Sequence, residues 1–217
     1  MDAETDIRPD GSNPAHPSSD ADPPTVPSTR AEAEDRAENL GRALAASLQI
    51  VLHPAPVLRE KTNAVDPADP AVQAVAQRMI ELMHEAPGVG LAAPQVGLPW
   101  RMFVANAGEE DPVDRVFLNP RMELTAPDGG RSPMESMEEG CLSLPGIHVH
   151  VRRPVYAAIY ATGLDGQPFS LAADGFVARV WQHEFDHLEA TLIIDRMGPR
   201  DRLANRRALR DLQDAAG

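Results

Sequence analysis

At 217 residues the chain is long enough for one domain with a sizeable core, and its 42% apolar content is ordinary for a globular protein. Asp and Glu outnumber Lys and Arg by 33 to 20, a formal charge of −13 that excludes a general electrostatic footprint for DNA or an anionic membrane. The single cysteine excludes an internal disulfide, and no apolar run approaches the length that spans a bilayer. The N-terminus has neither the basic-then-apolar order of a secretory signal nor the acid-poor composition of a transit peptide, so a cytoplasmic protein is expected.

The first 39 residues hold six prolines, no aromatics, and ten acids against three Arg, so they bury almost nothing to offset the entropy of ordering. They are expected to be a disordered, acidic, Pro-rich extension that carries minus seven of the charge and leaves the remainder mildly acidic. A short helix is expected around 40–48. Asp69-Pro70 then reads as an N-cap followed by proline at the first helical position. Val72, Val75, Met79, Leu82 and Met83 recur at helical spacing and mark one buried face ending near Pro87-Gly88, with His84 a capping or surface residue.

From Met102 the pattern changes to short β-type runs, 102–105, 115–118 and 155–161, broken by Gly, Pro and Asp. Asp165-Gly166 between 155–161 and 169–172 signals a hairpin with a type I′ turn. Asp174 is positioned to cap a last helix running to about Glu189. The order helix, antiparallel strands, helix points to an α+β fold, with the strands packed around that last helix. Residues 40–198 are expected to form the domain and 199–217 a C-terminal helix or tail.

On the last helix, Gln182-His183-Glu184-Phe185-Asp186-His187 sets two imidazoles four residues apart, hence on one face, with a carboxylate beside the first. Such a pair can share one ion, and Glu184 stands where a base for the ion's water belongs. Phe176 and Val180, seven and three residues before His183, extend that face as an apolar strip, which suits a pocket wall better than a solvated helix. A metal site that does chemistry needs three protein ligands and an open position, and Cys141 is the candidate third. It sits in Glu139-Gly140-Cys141-Leu142-Ser143-Leu144-Pro145, a tight segment able to present a thiolate and backbone N–H groups. The alternative for a free cysteine is a small buried hydrophobe. His148 and His150 alternate along a strand and read as partner or surface residues.

Three segments together resemble the peptide deformylase family: Gly88-Val89-Gly90-Leu91-Ala92-Ala93-Pro94-Gln95, Glu139-Gly140-Cys141-Leu142-Ser143, and Gln182-His183-Glu184-Phe185-Asp186-His187. The likeness covers about residues 48–197. Without it, Gly88-Val89-Gly90 would suggest a dinucleotide loop, but that stretch follows a helix instead of a strand. The resemblance implies that Cys141, His183 and His187 ligate one divalent metal ion, Fe(II) being the usual one, with zinc, nickel or cobalt as substitutes; the residues alone would suggest zinc, and their donor types choose none. It implies a metal-dependent hydrolase removing the formyl group from the N-terminal formylmethionine of nascent polypeptides. Glu184 would then be general base and acid, and the Gln95 side chain and Leu142 backbone N–H would donate to the oxyanion. Val89, Gly90 and Gly140 would engage the peptide, and Phe176 and Val180 would line the methionine pocket.

Two departures from the family stand out. His53-Pro54-Ala55-Pro56 lacks an acid common there, and Ala190 stands where glycine would suit a left-handed helix cap. Neither removes a proposed catalytic group. The stretch from Arg196 to Gln213 carries six arginines and reads as a solvated helix, with ribosomal RNA contact as the functional alternative. A metallopeptidase and an inactive binding protein are the competing readings. The cysteine and the two further motifs weigh against the first, and the complete set of reacting residues against the second.

Overall fold

The structure, a computed structural model, describes residues 30–108 and 113–215. The disorder expected of the N-terminal extension falls, for residues 1–29, outside the described residues. From Arg30 the chain is helical: α1 spans Arg30–Ser47, beginning ten residues before the expected start. Residues 32–40 are solvent-exposed and within the helix only Gly41 and Ala45 are buried, with Leu48 just past its end, so the apolar signal that locates a helix existed only in its last turns.

Helix α2, Pro70–Glu85, forms as its sequence dictates. The Asp69 side chain accepts the Ala71 N–H at 2.8 Å, and Val72, Val75, Met79, Leu82 and Met83 are all buried. They pack on one face of an antiparallel sheet made of β1 (Gly90–Ala92), β2 (Met102–Ala105), β3 (Arg115–Glu123), β6 (Ala157–Thr162) and β7 (Pro168–Ala173), in the order β1-β2-β3-β6-β7. The other face is covered by helix α3, Gly175–Leu188. Strand β2 shows why the sheet reads as continuously apolar there. Met102 and Val104 enter the cluster under α2 while Phe103 and Ala105 enter the one under α3, so all four are buried. Phe103 stacks on Phe117 with centroids 4.5 Å apart, and Trp181 of α3 closes over Phe117.

Strands β4 (Met134–Glu139) and β5 (Val149–Pro154) form a separate antiparallel pair. Its apolar residues Val149 and Val151 join Leu58, Leu144, Leu192 and Ile193 in a third cluster, flanked by the short helices α4 (Ile193–Arg196), α5 (Pro199–Ala204) and α6 (Arg206–Ala215). No described helix is long and apolar enough to cross a membrane. The α+β fold, with antiparallel strands around the histidine-bearing helix, is as expected.

Three local expectations change. Strands β1 and β4 carry no alternating pattern, because β1 is buried throughout and β4 is mostly exposed, so periodicity could not reveal them. The β6–β7 hairpin is present, yet of Asp165 and Gly166 only the glycine has a left-handed φ, +75°, and Gly166 N–H bonds the Gly163 carbonyl. The connection is therefore a three-residue loop, 164–166, whose last residue is the left-handed glycine, and not the two-residue type I′ turn. Asp174 occupies the N-cap position of α3, but its side chain accepts no capping bond.

The end of α3 bears out the reading of Ala190. Thr191 N–H bonds the Asp186 carbonyl at 2.9 Å and Ala190 N–H the His187 carbonyl at 3.2 Å, the paired pattern that closes a helix through a left-handed residue, and Ala190 has φ +58°. Ala190→Gly should raise the free energy of unfolding by about 0.5 kcal/mol, the ~1 kcal/mol relieved at a left-handed alanine less the extra freedom glycine has in the unfolded chain. A urea titration reads this directly, and a lower midpoint at unchanged slope would show that the cap is not strained.

Candidate metal centre

His183 and His187 lie on consecutive turns of α3, their ring centroids 5.2 Å apart. Cys141 reaches them from the segment after β4, where the Leu144 N–H closes a turn onto the Cys141 carbonyl at 2.9 Å. Cys141 Sγ stands 3.4 Å from His187 Nε2, and one donor atom from each of the three residues lies within 4.8 Å of the others. A sulfur and two imidazole nitrogens at this spacing fit a divalent ion. A second observation agrees: Glu184 Oε2, buried beside the cluster, has no hydrogen-bond partner among the described residues.

Glu184 is held by its surroundings. It is 4% exposed, and a Cβ placed on Gly90 would collide with its carboxylate, so the glycine of β1 is what lets the strand pass. Burial pushes the Glu184 carboxyl up to about 7 in the metal-free protein, against the opposing pull of His183; a cation in the cluster would favour its ionised form. Gln95 is also buried. Its Oε1 accepts the Ala92 N–H at 2.8 Å, which turns Nε2 toward Cys141 Sγ, 3.5 Å away.

These groups border a cavity of about 340 Å³. Val89, Gly90, Gln95, Gly140, Cys141, Leu142, Phe176, Val180, His183 and Glu184 all line it, and His187 lies buried behind them. Val180 is buried in the wall while Phe176 and Val89 stand about half exposed at the mouth. Each site residue expected from the sequence is therefore at this one place. His148 and His150 are exposed and face Glu138 and Asp201, and His84 bonds Asp114 at 2.8 Å, all surface roles as expected.

Beneath Cys141, His183 and His187 lies a group of charges that the sequence reading did not single out. Glu139 Oε2 faces His183 Nδ1 at 3.1 Å; a carboxylate accepts, so Nδ1 carries the proton and Nε2 is free for the cluster. Arg153 grips Glu139 with two bonds of 2.6 and 2.8 Å and reaches Asp186 at 2.8 Å. Arg179 adds a bond to Glu139 at 2.7 Å, and Arg196 holds Asp186 from the outside. Burial alone would raise the Glu139 carboxyl, but the Arg153 and His183 bonds outweigh it and hold the group at about 2. In the metal-free protein burial also pulls down both imidazoles. At His183 the bonds to Cys141 and Glu139 overcome it and lift the ring well above its usual range, while His187 stays well below. One signal was available: Val149, Val151 and Arg153 occupy alternate, buried positions of β5, so an arginine stood where the pattern called for an apolar residue.

Binding an ion to a site that exists only in the folded chain stabilises it, by about 4 kcal/mol at a thousand times the dissociation constant. Chelator-stripped protein should therefore unfold at lower denaturant than protein given one equivalent of metal, and Cys141→Ser and His187→Ala should lose most of that gain. An ion that stabilised His187→Ala as well as the parent would sit elsewhere.

The model of the polypeptide deformylase family matches residues 47–203. The peptide deformylase of Rhodopirellula baltica is 42% identical over 153 residues, 70% of this chain and 73% of that protein. That of Thermotoga neapolitana is 41% identical over 161 residues, 74% and 93% of the two chains. Among solved structures, an Arabidopsis thaliana peptide deformylase with a bound inhibitor superposes with a TM-score of 0.70 at 34% identity, covering 77% of this chain and 91% of that one. The chain belongs to the polypeptide deformylase family, metal-dependent hydrolases that remove the formyl group from an N-terminal methionine.

Proposed function

We propose that Cys141, His183 and His187 hold the single metal and that Glu184 moves the protons in deformylation of N-formylmethionyl peptides. The observation that carries this reading is the convergence of the thiol and the two imidazoles beside an unpartnered, buried carboxylate oxygen. A divalent ion held there supplies Lewis-acid polarisation of the formyl carbonyl and makes water a stronger acid. Glu184 accepts the proton of the attacking water and delivers it to the departing amine, so that water and the formamide become formate and a free N-terminus. Gln95 Nε2, fixed by the Ala92 bond, and the Leu142 backbone N–H donate to the oxygen on which charge develops.

The cavity suits the substrate this reading requires. Phe176 and Val180 give an apolar wall for a methionine side chain, and Val89, Gly90 and Gly140 bring main chain to the rim where a peptide backbone would lie. Fe(II) is the metal we assign first. A thiolate with two imidazoles also accommodates zinc, nickel or cobalt. Residues of the C-terminal arm supply a second contact: Arg200, Arg202, Arg206, Arg207 and Arg210 are exposed on α5 and α6, while Leu209 and Leu212 turn inward. We assign that basic face to ribosomal RNA, which places the enzyme beside emerging chains in the cytoplasm. Arg196 is less free for it, because its guanidinium is committed to Asp186.

Glu184→Gln should keep its metal and lose formate release from formyl-Met-Ala by about 10²- to 10⁴-fold, the range for a positioned acid/base. Near-parental turnover would remove Glu184 from the chemistry, and cleavage of unformylated peptides would favour a peptidase. Truncation at Pro199 should abolish a salt-sensitive fraction of ribosome pelleting, whereas unchanged, salt-independent pelleting would overturn the RNA assignment.

A further inference from the structure

The metal ligands come from two parts of the molecule with separate apolar cores. Helix α3 contributes Val180, Trp181 and Leu188 to the cluster on the five-stranded sheet. Cys141 packs instead against the cluster of Leu144, Val149 and Val151, beside the β4–β5 pair. Apolar packing within either cluster does not by itself set the distance between the thiol and the imidazoles. Polar bonds across the seam add to it, and among them Arg179 has a distinct arrangement, reaching both strands where Gln182 Nε2 reaches only the Pro154 carbonyl. Arg179 sits on α3 one turn before His183 and is 5% exposed. Its Nη1 donates to the Val151 carbonyl on β5 at 2.9 Å and to Glu139 Oε1 at the end of β4 at 2.7 Å, and its Nη2 donates to the Glu135 carbonyl on β4 at 3.0 Å.

We propose that Arg179 is a positioning residue that sets the placement of the Cys141 thiol relative to His183 and His187, by tying the main chains of both β4 and β5 to the metal-binding helix. The proposal rests on the ligand assignment given under Proposed function. Arg153 does a different job. It grips the two carboxylates, Glu139 and Asp186, and no bond links it to a backbone carbonyl of either strand among those described. With Arg179 gone, Glu139 keeps both Arg153 bonds and its contact with His183, so it remains a paired carboxylate. What disappears is the tie from α3 to the main chains at Glu135 of β4 and Val151 of β5, while Gln182 Nε2 still donates to the Pro154 carbonyl at the end of β5 at 2.9 Å. A guanidinium suits this role because it directs several donors from one rigid plane, which a lysine ammonium does not reproduce.

The test uses the full chain loaded with cobalt(II), whose visible bands report ligand geometry and whose near-ultraviolet sulfur-to-metal band reports the thiolate. Arg179→Met should shift and weaken both sets of bands and release metal to a chelator about 10- to 100-fold faster, the usual effect of losing a group that orients metal ligands. Its kcat should fall while KM stays within about threefold, and Arg179→Lys should recover part of each change. Val75→Ala, a cavity variant in the core under α2, controls for lost stability and should leave the bands and release rate unchanged. Parental bands and release rate in Arg179→Met would overturn the proposal, as would a raised KM without a spectral change, which would mark a substrate contact instead. If Arg179→Met does not fold, Arg179→Lys is read the same way. Absence of the sulfur band from the parent protein would overturn the ligand assignment itself, and that outcome is distinct from a failure of Arg179 alone.

Discussion

The buried carboxylate of Glu139 is the constraint on which the rest of the site depends. An ionised group taken out of water costs several kcal/mol unless its lone pairs are met, and breaking one side of such a pairing leaves that cost uncompensated. Glu139 has two bonds from Arg153, one from Arg179 and its contact with His183, which together outweigh the effect of burial on its ionisation. Each partner comes from a different place: β5, the early part of α3 and the His183 turn of α3. Satisfying one carboxylate thus fixes the β4–β5 pair against the helix and also chooses which nitrogen of His183 is free.

The same arrangement explains why the site lies at a seam. The helix needs one apolar side against Phe103, Phe117 and Ile159, and its histidines can only be on another side. That second side meets the hairpin, whose inward positions are Val149, Val151 and then Arg153. The run of buried apolar residues is interrupted by charge where the thiol and the imidazoles meet. The cavity opens above this polar layer, with Gly90 giving Glu184 room and Val180 and Phe176 closing the apolar side. An uncommitted carboxylate oxygen, an amide oriented by its bond to Ala92 and an apolar pocket are thereby gathered within one small volume.

The legible features share a physical character. Asp69-Pro70, the apolar face of α2, the hairpin at Asp165-Gly166 and the His183–His187 pair are all settled by interactions within a few residues, and all are present. The strained cap at Ala190 is equally local. By contrast β1 and β4 have no readable period, since one is buried on both faces and the other mostly exposed, and α1 begins in a stretch with no apolar face. Glu139 stood inside a motif read for its cysteine, and nothing near Arg179 or Arg153 in the chain says that they share a carboxylate.

By itself, then, the amino-acid sequence determined the elements and the ligand types: two imidazoles one helical turn apart, a carboxylate between them, a lone thiol in a tight segment, and a family resemblance that joined them. The tertiary structure alone decided that the thiol, 46 residues from His187, arrives 3.4 Å from its ring, and that Arg153 and Arg179 share the buried carboxylate of Glu139. The reason is range. Helical spacing and capping are short-range and recur wherever the residues recur, whereas the pairing of buried charges depends on which segments are brought together when water is removed, and that is a property of the whole fold.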